Sequence, residues 1–375
     1  MEECCDRPSF EWKSSKRLRR RVLAAMAGVG LLVAPTLAFA SPDEGPRCEE
    51  VTFPVALSPG QPADNTIVAW LCARGPIAGR TIQVLLHGGT YDHNYWDYPL
   101  HPEQYSYVRA ATNAGYVTLN LDRLGSGLSS HPAPDALTLH ANAFTVHQIV
   151  QALRADSLTV PGFGRVHGDR VMLVGHSLGA DISSIEASTY GDVDGVVLSA
   201  YSHTVGPGTP ILESLVYPAA FDPKFASLGL PLDYLTTLPG TRGEAFYYLP
   251  GADPAVIALD EQLKQTVTVG ELSDLVSSFP VSLGIRVPTL VADGDFDSID
   301  CNAPSCSQSG TLTTEASNFS PEACVQIVDI PFSGHDLNLH RNAPAWFGVA
   351  LLWSDLWVGP FAALPPLARC PRAGR

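Results

Sequence analysis

Apolar and polar positions along this chain fall into two alternating rhythms. Short, nearly continuous apolar runs occupy residues 81–86, 116–121, 171–174, 195–199, 288–292 and 325–330. Runs of this length, bounded by Gly or Pro and rich in Val, Leu and Ile, predict strands buried on both faces. Between them lie longer stretches with helical spacing: residues 103–114, stopped by Gly115; residues 137–155; the segment from Ser177 to about Tyr190; and a last one through Trp346 and Leu351 to about Trp357. Two further strands, over residues 50–56 and 66–72, precede this series and are joined through Pro59-Gly60. Strands alternating with helices predict an α/β fold, a mostly parallel sheet covered on both faces. The rhythm breaks between residues 201 and 286. Prolines, glycines and aromatics mix there with short helical pieces such as residues 254–266. No internal repeat is present. The expected organisation is a core over residues 41–200 and 287–375, with a cap inserted at 201–286.

The first 40 residues stand apart. A basic stretch at residues 16–21 precedes an uncharged apolar run over residues 22–40 that ends in Ala38-Phe39-Ala40. This order predicts a cleaved secretory signal and a secreted or periplasmic protein without a lasting membrane anchor. Arg19-Arg20-Arg21 also loosely fits a twin-arginine signal. Residues 1–40 carry seven Lys/Arg and four Asp/Glu; taking that net +3 from the chain's −15 leaves −18 for the rest. Such acidity excludes nucleic acid as an expected partner, since phosphate binding needs a basic surface. Beyond residue 40 the cysteines number six: Cys48, Cys72, Cys301, Cys306, Cys324 and Cys370. An even number in an exported chain predicts disulfides. Cys48 and Cys72 flank the first two strands and are the best pair. Cys301 and Cys306 lack the second Cys pair or neighbouring His that a metal site requires. No metal or cofactor is expected.

Chemistry concentrates where strands end. The run 171–174 leads into Gly175-His176-Ser177-Leu178-Gly179, the G-x-S-x-G spacing that stands a serine on a sharp strand-to-helix turn. Glycines on either side let the two backbones approach closely. The Leu178 N–H then lies at a helix N-terminus, where it binds a developing oxyanion. A serine hydroxyl needs a base, and the base needs a carboxylate to hold its tautomer. His335 follows the last strand in Ser333-Gly334-His335 and is the candidate base. Asp293-Gly294-Asp295-Phe296-Asp297-Ser298-Ile299-Asp300 follows the strand at 288–292 and supplies four carboxylates; Asp297 is the first choice for the acid and Asp295 the second. His176 is too near Ser177 in sequence to face it. His140 and His147, seven residues apart on one helix, are surface or packing residues. His87-Gly88-Gly89-Thr90 ends another strand, and the backbone of Gly89 or Thr90 is the second oxyanion donor. Tyr91, Tyr95 and Trp96 come next and are candidates for one wall of a substrate pocket. The cap offers the other wall through Leu212, Leu215, Val216, Tyr217, Phe221, Phe225, Phe246, Tyr247 and Tyr248, about half of which are expected to pack the cap itself.

These motifs, HGG at 87–89, D-x-x-G-x-G at 122–127, GHSLG at 175–179, GDFD at 294–297 and GH at 334–335, resemble the α/β-hydrolase superfamily. They span residues 81–358. The resemblance implies an eight-stranded, mostly parallel sheet, and catalytic roles for Ser177, Asp297 and His335. Serine at the nucleophile position departs from the dehalogenases and epoxide hydrolases of this fold, which carry aspartate there. Thr90-Tyr91 after HGG departs from the HGGPG of proline iminopeptidase relatives. The function expected is hydrolysis of small-molecule carboxylic esters with an apolar acyl or aryl part, through an acyl-enzyme. The same residues would also serve amide or C–C cleavage or acyl transfer. A non-catalytic binding protein on the same scaffold is the reading from another class.

Overall fold

The computed structural model describes residues 45–370; the segment expected to be an export signal lies outside the described residues. Eight strands form one sheet: β1 Arg47–Val55, β2 Asn65–Ala73, β3 Ile82–Leu86, β4 Val117–Leu121, β5 Val171–His176, β6 Gly195–Ser199, β7 Thr289–Gly294 and β8 Gln326–Ile330. Their spatial order is β1-β2-β4-β3-β5-β6-β7-β8. The two β2 pairings are antiparallel, and every pairing from β4 to β8 is parallel.

The apolar runs read as they do because the sheet has two buried faces. Along β5, Val171 and Leu173 join one core cluster, while Met172 and Val174 join the other. Helices α2 (Leu139–Arg154) and α3 (Leu178–Thr189) bury Ala143, Val146, Ile149 and Ile182 in the first cluster. Helices α1 (Tyr107–Asn113) and α4 (Ala343–Trp357) bury Tyr107, Val108, Trp346 and Trp353 in the second. Each fully buried side chain of this size contributes roughly 1.5–3 kcal/mol. No helix among the described residues is long and apolar enough to cross a membrane.

Three local expectations change. The helix read at 103–114 is broken. Ser106 adopts an extended backbone, donates to Asp97 and accepts the Arg109 N–H, so it ends one short helix and caps α1. The helix read at 254–266 ends at Leu263. A hairpin over Leu158–Val160 and Gly164–Val166 was not foreseen, because strands of three residues leave no readable period.

The region between β6 and β7, where a cap is expected, is not only helical. It holds a three-stranded antiparallel sheet of Val216–Pro218, Tyr234–Thr237 and Val267–Thr268. Disulfides join Cys48 to Cys72, Cys301 to Cys306 and Cys324 to Cys370. The first follows from register, since Cys48 and Cys72 sit directly opposite in the β1–β2 ladder.

Candidate active site

Strand β5 ends at His176 and α3 begins at Leu178, leaving Ser177 alone at the corner with φ 52° and ψ −127°. That backbone is strained for any residue but Gly, and such strain concentrates at functional sites. The corner closes only because its flanks are bare. A Cβ on Gly175 would run into the Gly179 carbonyl, and one on Gly179 into the Leu86 and His87 carbonyls.

His335 reaches this corner from the loop after β8. Its Nε2 lies 2.8 Å from Ser177 Oγ, and its Nδ1 lies 2.8 Å from Asp297 Oδ2. The other Asp297 oxygen accepts the N–H groups of Ile299 and Asp300. Burial opposes ionisation of Asp297, but the His335 imidazole and these N–H groups outweigh it and hold the carboxyl below its ordinary range. Burial likewise lowers His335, yet the charge of Asp297 more than offsets this and raises it well above the ordinary imidazole value. Asp295 faces away and bonds Ser307 through both Oγ and N–H. Asp300 was not singled out from the sequence. Its Oδ2 lies 3.3 Å from His335 Nδ1, a second carboxylate at the same nitrogen.

The loop after β3 stands across from Ser177. Gly89, Thr90, Ser177, Leu178 and His335 line one cavity of about 260 Å³. Among the described residues no hydrogen bond is donated by the Gly89, Thr90 or Leu178 N–H. Arg123, from the 122–127 loop, fixes the orientation. Its Nε and Nη2 donate to the His87 and Gly88 carbonyls, which turns the loop's carbonyls away from the cavity. The guanidinium is buried and paired with Glu271 of the cap at 2.6 Å. Sequence reading passed over Arg123; its one available signal was a charge set between apolar Leu121 and Leu124. Arg123→Ala is expected to lower unfolding stability by about 3–5 kcal/mol, because Glu271 is left buried without a counter-charge. Urea denaturation measures it.

Tyr91, Tyr95 and Trp96 do not line the cavity. They are buried, at 5%, 1% and 0% exposure. Tyr95 stacks on His176 at 4.1 Å, and Trp96 packs edge-on to Tyr95. Tyr91 bonds Asp336 and lies beneath the Arg242 guanidinium. Aromatic bulk next to a glycine loop marks burial, but not on which side of the loop it falls. His176 points into this same cluster, with Nε2 3.3 Å from Asp336 Oδ1. His147, on α2, pairs with Asp192 and stacks on Tyr190.

Of the nine cap residues, Leu212, Val216 and Phe246 line the cavity. Phe225 packs with Ala219 and Tyr234 inside the cap, and Tyr248 stacks on Phe296. Val205, Val267, Leu272, Leu275, Val276 and Phe279 extend the cavity's apolar wall, and Ala200, Tyr201 and Ile299 complete it. Side-chain groups able to hold a metal ion occur at Asp297/Asp300/His335, Asp92/His93/Asp122 and His147/Glu186/Asp192. In the second of these Asp122 already accepts the His93 and Leu128 N–H groups.

The sequence pattern of the alpha/beta hydrolase family matches residues 83–348, from β3 through the His335 loop into α4. The chain belongs to that family. Solved α/β-hydrolase structures share the fold at low identity. A thermophilic esterase from Thermogutta terrifontis is 17% identical, covers 81% of this chain and 97% of its own, and superposes with a TM-score of 0.53. An esterase from Exiguobacterium antarcticum is also 17% identical, with 77% and 95% covered and a TM-score of 0.53. A bromoperoxidase from Bacillus anthracis is 21% identical, with 82% and 99% covered and a TM-score of 0.51. No curated protein matches the chain. The α/β hydrolase is thus a hydrolase by family, and its substrate must be argued from its own cavity.

Proposed function

We propose that this α/β hydrolase is an exported serine esterase that cleaves carboxylic esters through an acyl-enzyme. The observation that carries the reading is the unbroken line Ser177 Oγ, His335 Nε2, His335 Nδ1, Asp297 Oδ2, with both contacts at 2.8 Å. Ser177 attacks the ester carbonyl while His335 takes its proton. The oxyanion meets the N–H groups of Leu178 and of Gly89 or Thr90, and removal of one such donor typically costs about 3 kcal/mol of transition-state stabilisation. His335 then protonates the leaving alcohol, Asp297 holding the imidazole in place and stabilising its cation. Water activated by the same base releases the acid. Export is supported by the basic and apolar order of residues 16–40 and by three disulfides.

A fluorophosphonate probe and a p-nitrophenyl ester series test the reading. The probe is expected to label wild-type protein and leave Ser177→Ala unlabelled; absence of labelling on folded wild type would support a binding protein instead. The apolar cavity predicts that kcat/KM rises from acetate to butyrate by about tenfold, since two buried methylenes contribute about 1.6 kcal/mol. A profile that is flat or peaks at acetate means that the cavity does not seat an acyl chain.

The environment of His335 also sets a pH dependence. The base works only when neutral, and Asp297 raises its pKa. Activity is therefore expected to climb with pH through a midpoint above the ordinary imidazole value of about 6.5. Asp297→Asn removes the negative partner and should move that midpoint down. A kcat/KM–pH profile with its ascending limb centred below 6.5 in wild type contradicts it.

A further inference from the structure

The cavity above Ser177 has an uneven polar lining. Asp181, Glu213 and Asp300 line it, and no Lys or Arg does. Glu213 is exposed. Asp181 sits one helical turn beyond Ser177 on α3, in a residue only 7% exposed. Among the described residues its carboxyl has no partner but its own backbone N–H and faces the cavity, while Asp300 is engaged with His335. Several buried acids of this fold carry a cation: Glu271 has Arg123, Asp260 has Arg242 and Asp222 has Lys264. Glu186 and Asp293 are buried without one, but neither lines the cavity. A buried ionised carboxylate without such a partner costs several kcal/mol. Three aromatic rings, Tyr201, Phe246 and Phe279, line the same space, and ring faces attract cations.

We propose that Asp181 and Asp300 form a cation subsite beside Ser177, and that the substrates are esters joining an apolar chain to a positively charged amine. This rests on Ser177 being the esterase nucleophile. The ligand cation then supplies the counter-charge that the protein omits, held between the carboxylate pair and the aromatic faces. Burial, and then the neighbouring Asp300 charge, push the Asp181 carboxyl well above its ordinary range, a condition that a bound ammonium relieves. The chain's negative charge draws such ligands inward. An anionic ester would face three acids and no Lys or Arg.

Isothermal titration of Ser177→Ala protein with octyltrimethylammonium, 1-octanol and octanoate, below micellar concentration and at fixed ionic strength, tests the subsite without turnover. The ammonium is expected to bind at least tenfold more tightly than the alcohol, with octanoate weakest. Adding Asp181→Asn should bring ammonium and alcohol within about threefold of each other, and retained octanol binding shows that the cavity is intact. Equal affinities for ammonium and alcohol in the Ser177→Ala protein, or a preference that survives Asp181→Asn, overturn the proposal. Wild-type turnover of butyrylthiocholine and of its uncharged 3,3-dimethylbutyl thioester analogue separates the two claims. Hydrolysis of both at equal kcat/KM overturns the subsite and leaves the esterase. Ammonium binding without hydrolysis of any ester sustains the subsite and removes the esterase.

Discussion

Ser177→Ala is expected to lower kcat for the proposed ester hydrolysis by about 10⁶-fold, and His335→Ala by a similar factor. The double variant loses little more. The reason lies in the shared hydrogen bond: His335 Nε2 has work to do only when the Ser177 hydroxyl is 2.8 Å away, and the hydroxyl is a poor nucleophile without that base. Residues that act as one unit do not add. What remains comes from the N–H groups of Leu178 and the Gly89 loop together with cavity binding. Single-turnover kinetics on folded variants decide the matter. Folded Ser177→Ala that keeps wild-type turnover removes the mechanism.

Asp297→Asn is the second large effect, about 10⁴-fold in kcat. The amide presents an N–H to His335 Nδ1 and favours the tautomer whose Nε2 carries the proton, which cannot accept the Ser177 hydroxyl. Asp295→Asn should change kcat only a few-fold, because Asp295 is tied to Ser307 and lies off the His335 axis. The reverse ranking would transfer the acid's role. Asp300, 3.3 Å from the same nitrogen, is the one neighbour able to soften the loss, so Asp297→Asn combined with Asp300→Asn should fall below either alone.

Much of this is legible in the sequence. The strands β3, β5, β6 and β7 announce themselves because both faces of the sheet are buried and apolar residues dominate them. Ser177, Asp297 and His335 are legible because a strand end is a fixed point from which a side chain projects into the crevice. The choice of Asp297 over Asp295 is a matter of loop geometry, and two residues of loop decide which way a carboxylate faces. Tyr91, Tyr95 and Trp96 show the limit. Their size foretold burial, but the side of the loop is settled by His176 and Arg242, which come from distant parts of the chain. Asp181 shows the same limit reversed. An acid in the first turn of a helix reads as a solvated dipole partner, and nothing local reveals that the cap shuts it in. The small cap sheet was invisible because its strands are two to four residues long.

The cap is fastened to the core by charge as well as by apolar contact. Glu271 of the cap holds Arg123, Arg242 reaches Thr90, Gln265 bonds both the Thr90 carbonyl and Asp92, and Tyr98 donates to the Val256 carbonyl. A door hung on this many latches does not swing once per turnover. Substrate is then expected to enter past the rim of the cavity, where Val205 and Val276 are 52% and 62% exposed. Thickening the solvent with sucrose or glycerol should accordingly leave kcat for a slow ester untouched, and the ceiling on the rate is then set by the chemistry at Ser177 rather than by traffic through the gate.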